Sequence, residues 1–444
     1  MTDLSRTQPS EQPVARPLVR SEQRRLRQNF VFGVANGGLL LLGDALIHPV
    51  LVLTVFVDLL TDSAVLIGLV PALSVGLWFL PQALAAAFVQ GRRRQLPWAA
   101  WGGIARALAI GSLAAVVLVN GTSGETRSGL LAVFFVCYAA YNLAAGFAFV
   151  PLVELSARAI PADRRGFFFS QRNFWGALLA LVAGFIVQRA LAGGTSGFAV
   201  LFAASFAALA LAAYSTVWIT ERPVPTPERP FRVWLQELPT LLSRRSVRRF
   251  LVFRSFLALS TVADPFFVVY AQGVLGIPAQ TVGLYLALSA ITRVAANPVW
   301  GWVVERWGNR QLLQLATLVR LLMPLIALSI HPLSSWERIV SRVGEPERAI
   351  SIAFAVVFVA YGATLSAQML ANFTAVLDLA RPDERPTLVG VTNTILGLVS
   401  LVPMLGGLVV ERFGFPAVFL LALALTLLAL ASSGLLPGPR RLQR

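Results

Sequence analysis

A carboxylate and an imidazole one helical turn apart, Asp44 and His48, sit inside a long apolar run. Pro49 follows and removes a backbone hydrogen bond, and Gly37, Gly38 and Gly43 loosen the chain before it. Side chains four apart share a helix face, so this pair on a bent helix is a candidate proton or cation site. Its alternative use is an aspartate capping nearby backbone. Asp264 stands directly before Pro265 in a later apolar run and is a second group that can titrate or pair with an arginine. Arg293, with Asn297 one turn on, offers a planar fork suited to a carboxylate or phosphate. The competing use of Arg293 is a salt bridge to Asp264 or Asp44. Tyr138, Tyr141 and Asn142 cluster on one face. Tyr361, Thr364, Gln368 and Asn372 follow i, i+3, i+7, i+11 and share another.

The elements that must position these groups are membrane spans. Charged residues are 13% of the chain and the mean hydropathy is +0.72. A span needs roughly 20 apolar residues, and the sequence supplies twelve such runs. They read as continuous apolar stretches, so the expectation is an all-α membrane protein and not a barrel, whose strands would alternate in polarity. In such a setting an ionisable residue within a span is a functional candidate, and polar stripes face a water-filled cavity or bond to a neighbouring helix.

The two halves of the chain repeat. Asp44 matches Asp264 (264 − 44 = 220), and Tyr141 matches Tyr361 at the same offset. Pro81 matches Pro298 and Arg106 matches Arg320 with small drifts. Arg293 breaks the repeat, since Gly76 stands at its counterpart. A repeat of this length predicts two six-helix bundles related by an axis along the membrane normal. The expected organisation is a tail over 1–29, a bundle over 30–220, a linker over 221–248, a second bundle over 249–436 and a tail over 437–444. In the linker Phe231, Trp234, Leu235, Leu238, Leu241 and Leu242 recur at helical spacing and predict an amphipathic surface helix. Trp336, Ile339, Val340 and Val343 suggest a shorter one elsewhere.

Residues 301–310, GWVVERWGNR, carry Gly301, Glu305, Arg306, Gly308 and Arg310 between two apolar runs. With the internal repeat, this motif resembles the loop between two helices of each half in the major facilitator superfamily of transporters, and the resemblance covers nearly the whole chain. It implies secondary active transport of a small molecule by alternating access. It also implies that spans 1, 4, 7 and 10 line a central cavity. The stripes on spans 4 and 10 then belong to a substrate site, and Arg106 and Arg320, on spans 3 and 9, to the structural periphery. In the motif Gly301 is expected to let helices approach and Gly308 to turn the chain. Glu305 is expected to brace a gate against the start of the fifth span. In the first half Phe88 and Leu84 replace the acid and the first glycine, so that brace is expected to be missing there.

The net charge of +16 comes wholly from arginine, concentrated in alternate loops and both tails. By the positive-inside rule this places both termini in the cytoplasm, in an inner membrane. It reads as topology and not as a nucleic-acid site. One cysteine, Cys137, and two distant histidines give no disulfide framework and no metal site. No phosphate-binding loop and no cofactor motif is present. An intramembrane aspartyl protease is disfavoured, because Leu41 stands where a Gly-x-Gly-Asp pattern needs glycine. The partners expected are a small-molecule substrate, the lipid bilayer and protons, with a monomeric chain. The intramembrane acids favour proton coupling. The many small apolar and aromatic residues tilt the expectation toward export of an amphipathic compound; Arg293 keeps organic-anion uptake open, and a lipid or lysolipid flippase of the same architecture is a further alternative.

Overall fold

The computed structural model describes residues 20–89, 92–120, 127–193, 196–223, 239–240, 242–334, 346–379 and 385–436. Both expected amphipathic surface helices fall largely outside these residues. Twelve helices are long and apolar enough to cross a membrane. Spans 1 to 6 are Arg20–Leu46, Ala64–Ala86, Leu96–Val119, Ser128–Ala159, Arg165–Ala192 and Gly197–Val217. Spans 7 to 12 are Arg245–Gly273, Thr281–Trp307, Asn309–Ile330, Arg348–Ala371, Thr392–Phe413 and Phe415–Ser433. They form two six-helix bundles, and no strand occurs among the described residues.

Span 1 begins ten residues earlier than the apolar run, at Arg20 in place of residue 30. The segment RSEQRRLRQN is made of helix formers without proline or glycine, so the helix continues outward past the apolar boundary. The other end breaks at the expected proline. The helix stops at Leu46 and a short helix resumes over Leu53–Asp58. Span 7 breaks at its own proline: Arg245–Leu259 gives way to a 3-10 turn over Ser260–Ala263, and the helix restarts at Asp264. Both intramembrane aspartates therefore sit at a helix discontinuity, one in each half.

The bundles share their largest core at one end, and spans 2 and 11 stay in contact beyond it, where Asn393 Nδ2 donates to Gln82 Oε1 at 3.4 Å. The largest apolar core joins the two halves through Phe56, Phe134 and Phe202 of the first and Phe266, Phe354 and Phe419 of the second. These lie toward the end opposite the arginine-rich one, called here the far end. At the arginine-rich end the smaller cores stay within one bundle: Ala99, Leu155 and Ile219 in the first, Phe253, Trp300 and Leu312 in the second.

Two glycine crossings close the far end. A methyl on Gly184 of span 5 would lie 2.8 Å from the Gly283 carbonyl oxygen of span 8. A methyl on Gly407 of span 11 would run into the backbone of Ala64 and Val65 at the start of span 2. Beside it, Ser63 Oγ and the Val65 N–H donate to Glu411 Oε1 at 2.9 and 3.2 Å. An anion at a helix N-terminus is favourable, so Glu411 holds span 2 to span 11.

Candidate substrate site between the two bundles

Asp44 does not stand alone. Its Oδ1 accepts from Arg106 Nη2 of span 3 and, at 2.6 Å, from the Tyr141 hydroxyl of span 4. Arg106 Nη2 also donates to Tyr141 Oη at 2.6 Å, and its guanidinium lies over the Tyr141 ring. The second half copies the pair. Arg320 Nη2 donates to Asp264 Oδ1 at 2.6 Å, while its Nε donates to Ser260 Oγ at 2.8 Å. Arg106 and Arg320 are thus the counter-ions of the two intramembrane acids, a role that their place on spans 3 and 9 did not suggest. The pairs differ in access. Asp44 has 41% of its side chain exposed, whereas Asp264 has 8%.

Asp44 opens onto a cavity of about 120 Å³ between the bundles, lined also by His48, Pro49, Ser289, Arg293 and Leu365. The helix break removes the regular four-residue spacing of Asp44 and His48, yet both reach this space. His48 Nδ1 accepts from the Val50 and Leu51 N–H groups at 3.3 Å each and so caps the turn after the break. That use calls for a neutral ring with its proton on Nε2. Arg293 forms neither of the salt bridges foreseen for it. Among the described residues it has no ion pair and no hydrogen bond.

A second cavity, of about 230 Å³, lies beside the first. Arg254, Thr261, Asp264, Arg320, Tyr361, Gln368 and Ser400 contribute its polar lining. Tyr141 and Tyr361 are repeat partners with different surroundings: Tyr141 is held in the Asp44–Arg106 cluster, and Tyr361 faces this cavity and packs edge-on against His48 at 6.0 Å.

Other members of the expected stripes turn elsewhere. Tyr138 is buried against Phe134 and Tyr141. Asn142 donates to the Tyr138 carbonyl, and Thr364 to the Tyr361 carbonyl. Asn297 accepts from Ser366 Oγ at 2.5 Å and ties span 8 to span 10. Asn372 is helical, and its side chain lies outside the described residues.

In the 301–310 motif, Gly308 takes φ +88° and ends span 8, as the turn requires. Gly301 has open space where a methyl would point, so the close approach expected of it is not made. Glu305 and Arg306 are exposed. Glu305 has no ion pair or hydrogen bond among the described residues, so the brace to span 5 is not formed.

Arg254 is the residue that polar spacing did not single out. It is 7% exposed, and its Nε and Nη1 have no hydrogen-bond partner. The signal available was the one used for Arg293: at the repeat offset of Asp44 and Asp264, its first-half counterpart is Val34, so it too breaks the symmetry.

The profile of the Major Facilitator Superfamily matches residues 36–398 and again 250–443. The chain belongs to that superfamily. Its fold is similar to solved transporters across almost the whole length of this chain. One is a mutant of the nucleoside transporter NupG, at 14% identity and a TM-score of 0.69, covering 94% of this chain and 100% of that one. Another is a D-xylose-proton symporter, at 14% identity and 0.67, covering 93% and 98%. A third is a bacterial homologue of the iron transporter ferroportin in an inward-facing state, at 13% and 0.63, covering 93% and 98%. At these identities the likeness is one of fold. No curated protein gives a significant match to the sequence. As a superfamily member, the chain is a multi-pass membrane transporter.

Proposed function

We propose that this transporter carries a small organic anion, bound at Arg293. The observation that carries the reading is the guanidinium of Arg293, unpaired among the described residues, at the wall of an inter-bundle cavity. Arg293 is partly buried, and an anionic substrate group would supply its missing partner as a charge-assisted, bidentate contact.

The cavities are small against the roughly 300–1,000 Å³ of drug-sized sites. Their volumes of about 120 and 230 Å³ favour a compact solute over a lysolipid. Export of an amphipathic compound rests on the apolar composition of the spans alone, and the polar lining of the cavities adds nothing to it.

Alternating access is supported by the two-bundle fold, whose shared apolar core lies toward the far end. By arginine distribution the opposite end is the cytoplasmic one, with both termini there, in an inner membrane. Proton coupling is assigned to Asp44. Its Oδ1 takes both bonds from Arg106 and Tyr141, and the half-exposed carboxylate faces the same cavity as Arg293. Protonating it would weaken its hold on Arg106 next to the bound anion.

The test is a thermal-shift screen of the purified protein against organic anions, sugars and cationic amphiphiles at two pH values. A ligand at ~100 times its dissociation constant stabilises the fold by roughly 2.7 kcal/mol. Stabilisation by anions that is lost in Arg293→Ala supports the reading. Stabilisation by neutral or cationic compounds, unchanged in that variant, overturns it.

A further inference from the structure

Arg254 and Arg293 share a property found nowhere else in the cavity linings. Each is a guanidinium without an ion pair or hydrogen bond among the described residues, and each lines one of the two inter-bundle cavities. The other charges in those walls cancel. Asp44 is paired with Arg106, and Asp264 with Arg320. Each cavity therefore holds one uncompensated positive charge. The cavities are neighbours: Pro49, just after span 1, and Leu365 of span 10 line both.

We propose that the substrate is a two-headed organic anion, such as a dicarboxylate, with one acidic group on Arg293 and the other on Arg254. This rests on the reading of Arg293 given above and extends it to a second subsite. The skeleton between the acidic groups passes Pro49 and Leu365, so the middle of the molecule is apolar or weakly polar. Gln368, Ser400 and Thr261 surround the Arg254 end with further hydrogen-bonding groups, and Ser289 serves the Arg293 end. A monoanion would leave one guanidinium without a partner, which is the physical basis for discrimination. The interior positions of the two arginines, on spans 7 and 8 of the same bundle, let that bundle move both heads as one body.

The experiment is ligand binding in detergent, read by thermal shift and calorimetry, with the full-length chain. The probes are straight-chain monocarboxylates, dicarboxylates of increasing length, and a phosphate monoester as a one-headed dianion. A charge-assisted contact is worth about 10- to 100-fold in affinity. The wild type is expected to prefer a dicarboxylate of one length over the matching monocarboxylate by that factor, and over the phosphate monoester. Arg254→Gln is expected to abolish the preference while monocarboxylate binding persists, and Arg254→Lys to restore part of it. Removing a buried unpaired charge should leave the ligand-free unfolding temperature of Arg254→Gln equal or higher.

Equal affinity for mono- and dicarboxylates in the wild type, still lost in Arg293→Ala, would overturn the two-headed substrate and leave the anion site standing. A dicarboxylate preference unchanged in Arg254→Gln, or a lower ligand-free unfolding temperature for that variant with selectivity intact, would also overturn it and make Arg254 structural. Binding of no anion at all would bring down both readings.

Discussion

Arg320 reaches from span 9 to Asp264 of span 7 with an Nη2–Oδ1 distance of 2.6 Å, and both side chains are more than nine-tenths buried. Arg106 repeats this reach to Asp44 in the other bundle. Each pair ties a broken helix to a continuous one. Span 7 carries a 3-10 turn just before Asp264, and span 1 breaks shortly after Asp44. Ion pairs at these points hold the orientation of segments whose backbone ladder is interrupted.

Asp264→Ala is expected to destabilise the protein by about 3–5 kcal/mol, because it leaves the Arg320 charge buried without its partner. The double variant Asp264→Leu with Arg320→Met should regain most of that loss. Thermal unfolding in detergent measures both. A double variant as unstable as the single one would mean that the pair does more than cancel charge.

Glu411 joins the bundles at the far end by accepting from Ser63 and the Val65 N–H. Glu411→Ala removes two hydrogen bonds worth about 1 kcal/mol each, which favours opening there. In a Cys137→Ser background, a cysteine placed by Ser289→Cys reports on the cavity. Its reaction with an impermeant thiol reagent from the far side should speed up when Glu411→Ala is added. An unchanged rate would remove Glu411 from the closure.

Asp58 lies just outside span 1, where burial and then the charge of Asp62 push its carboxyl from 3.8 up to about 6. The folded state thus holds the proton more tightly than the unfolded chain does. Its contribution favours folding below about pH 4 and is lost as pH rises from there through 6. Thermal stability measured across that window should fall less in Asp58→Asn than in the wild type. Parallel curves would contradict the assignment.

Much of this architecture is legible in the chain itself, because lipid enforces it. Twelve apolar runs, an arginine bias and the 220-residue repeat leave few alternatives to two six-helix bundles. The breaks at Pro49 and before Pro265 follow from backbone chemistry. The site is less legible, because helical spacing gives the face of a residue and not its partner. Arg106 and Arg320 look peripheral by span order, yet arginine is long enough to reach an acid on the next helix. Asn297 and Thr364 fit a polar stripe by spacing, but each finds a hydrogen bond within the protein. Arg254 hides near a basic loop, and its lack of a partner is a fact of three dimensions. Glu305 fits the motif by type yet has no ion pair or hydrogen bond among the described residues, and Gly301 has open space beside it.

The central claim is that Arg293 binds the transported anion, and the most direct measurement is transport. The anion that stabilises the wild type best is supplied, radiolabelled, to proteoliposomes preloaded with the unlabelled compound. The wild type should exchange it, and Arg293→Ala should lose at least about tenfold in exchange rate at limiting substrate, the value of one charge-assisted contact. Exchange by Arg293→Ala at the wild-type rate would contradict the account.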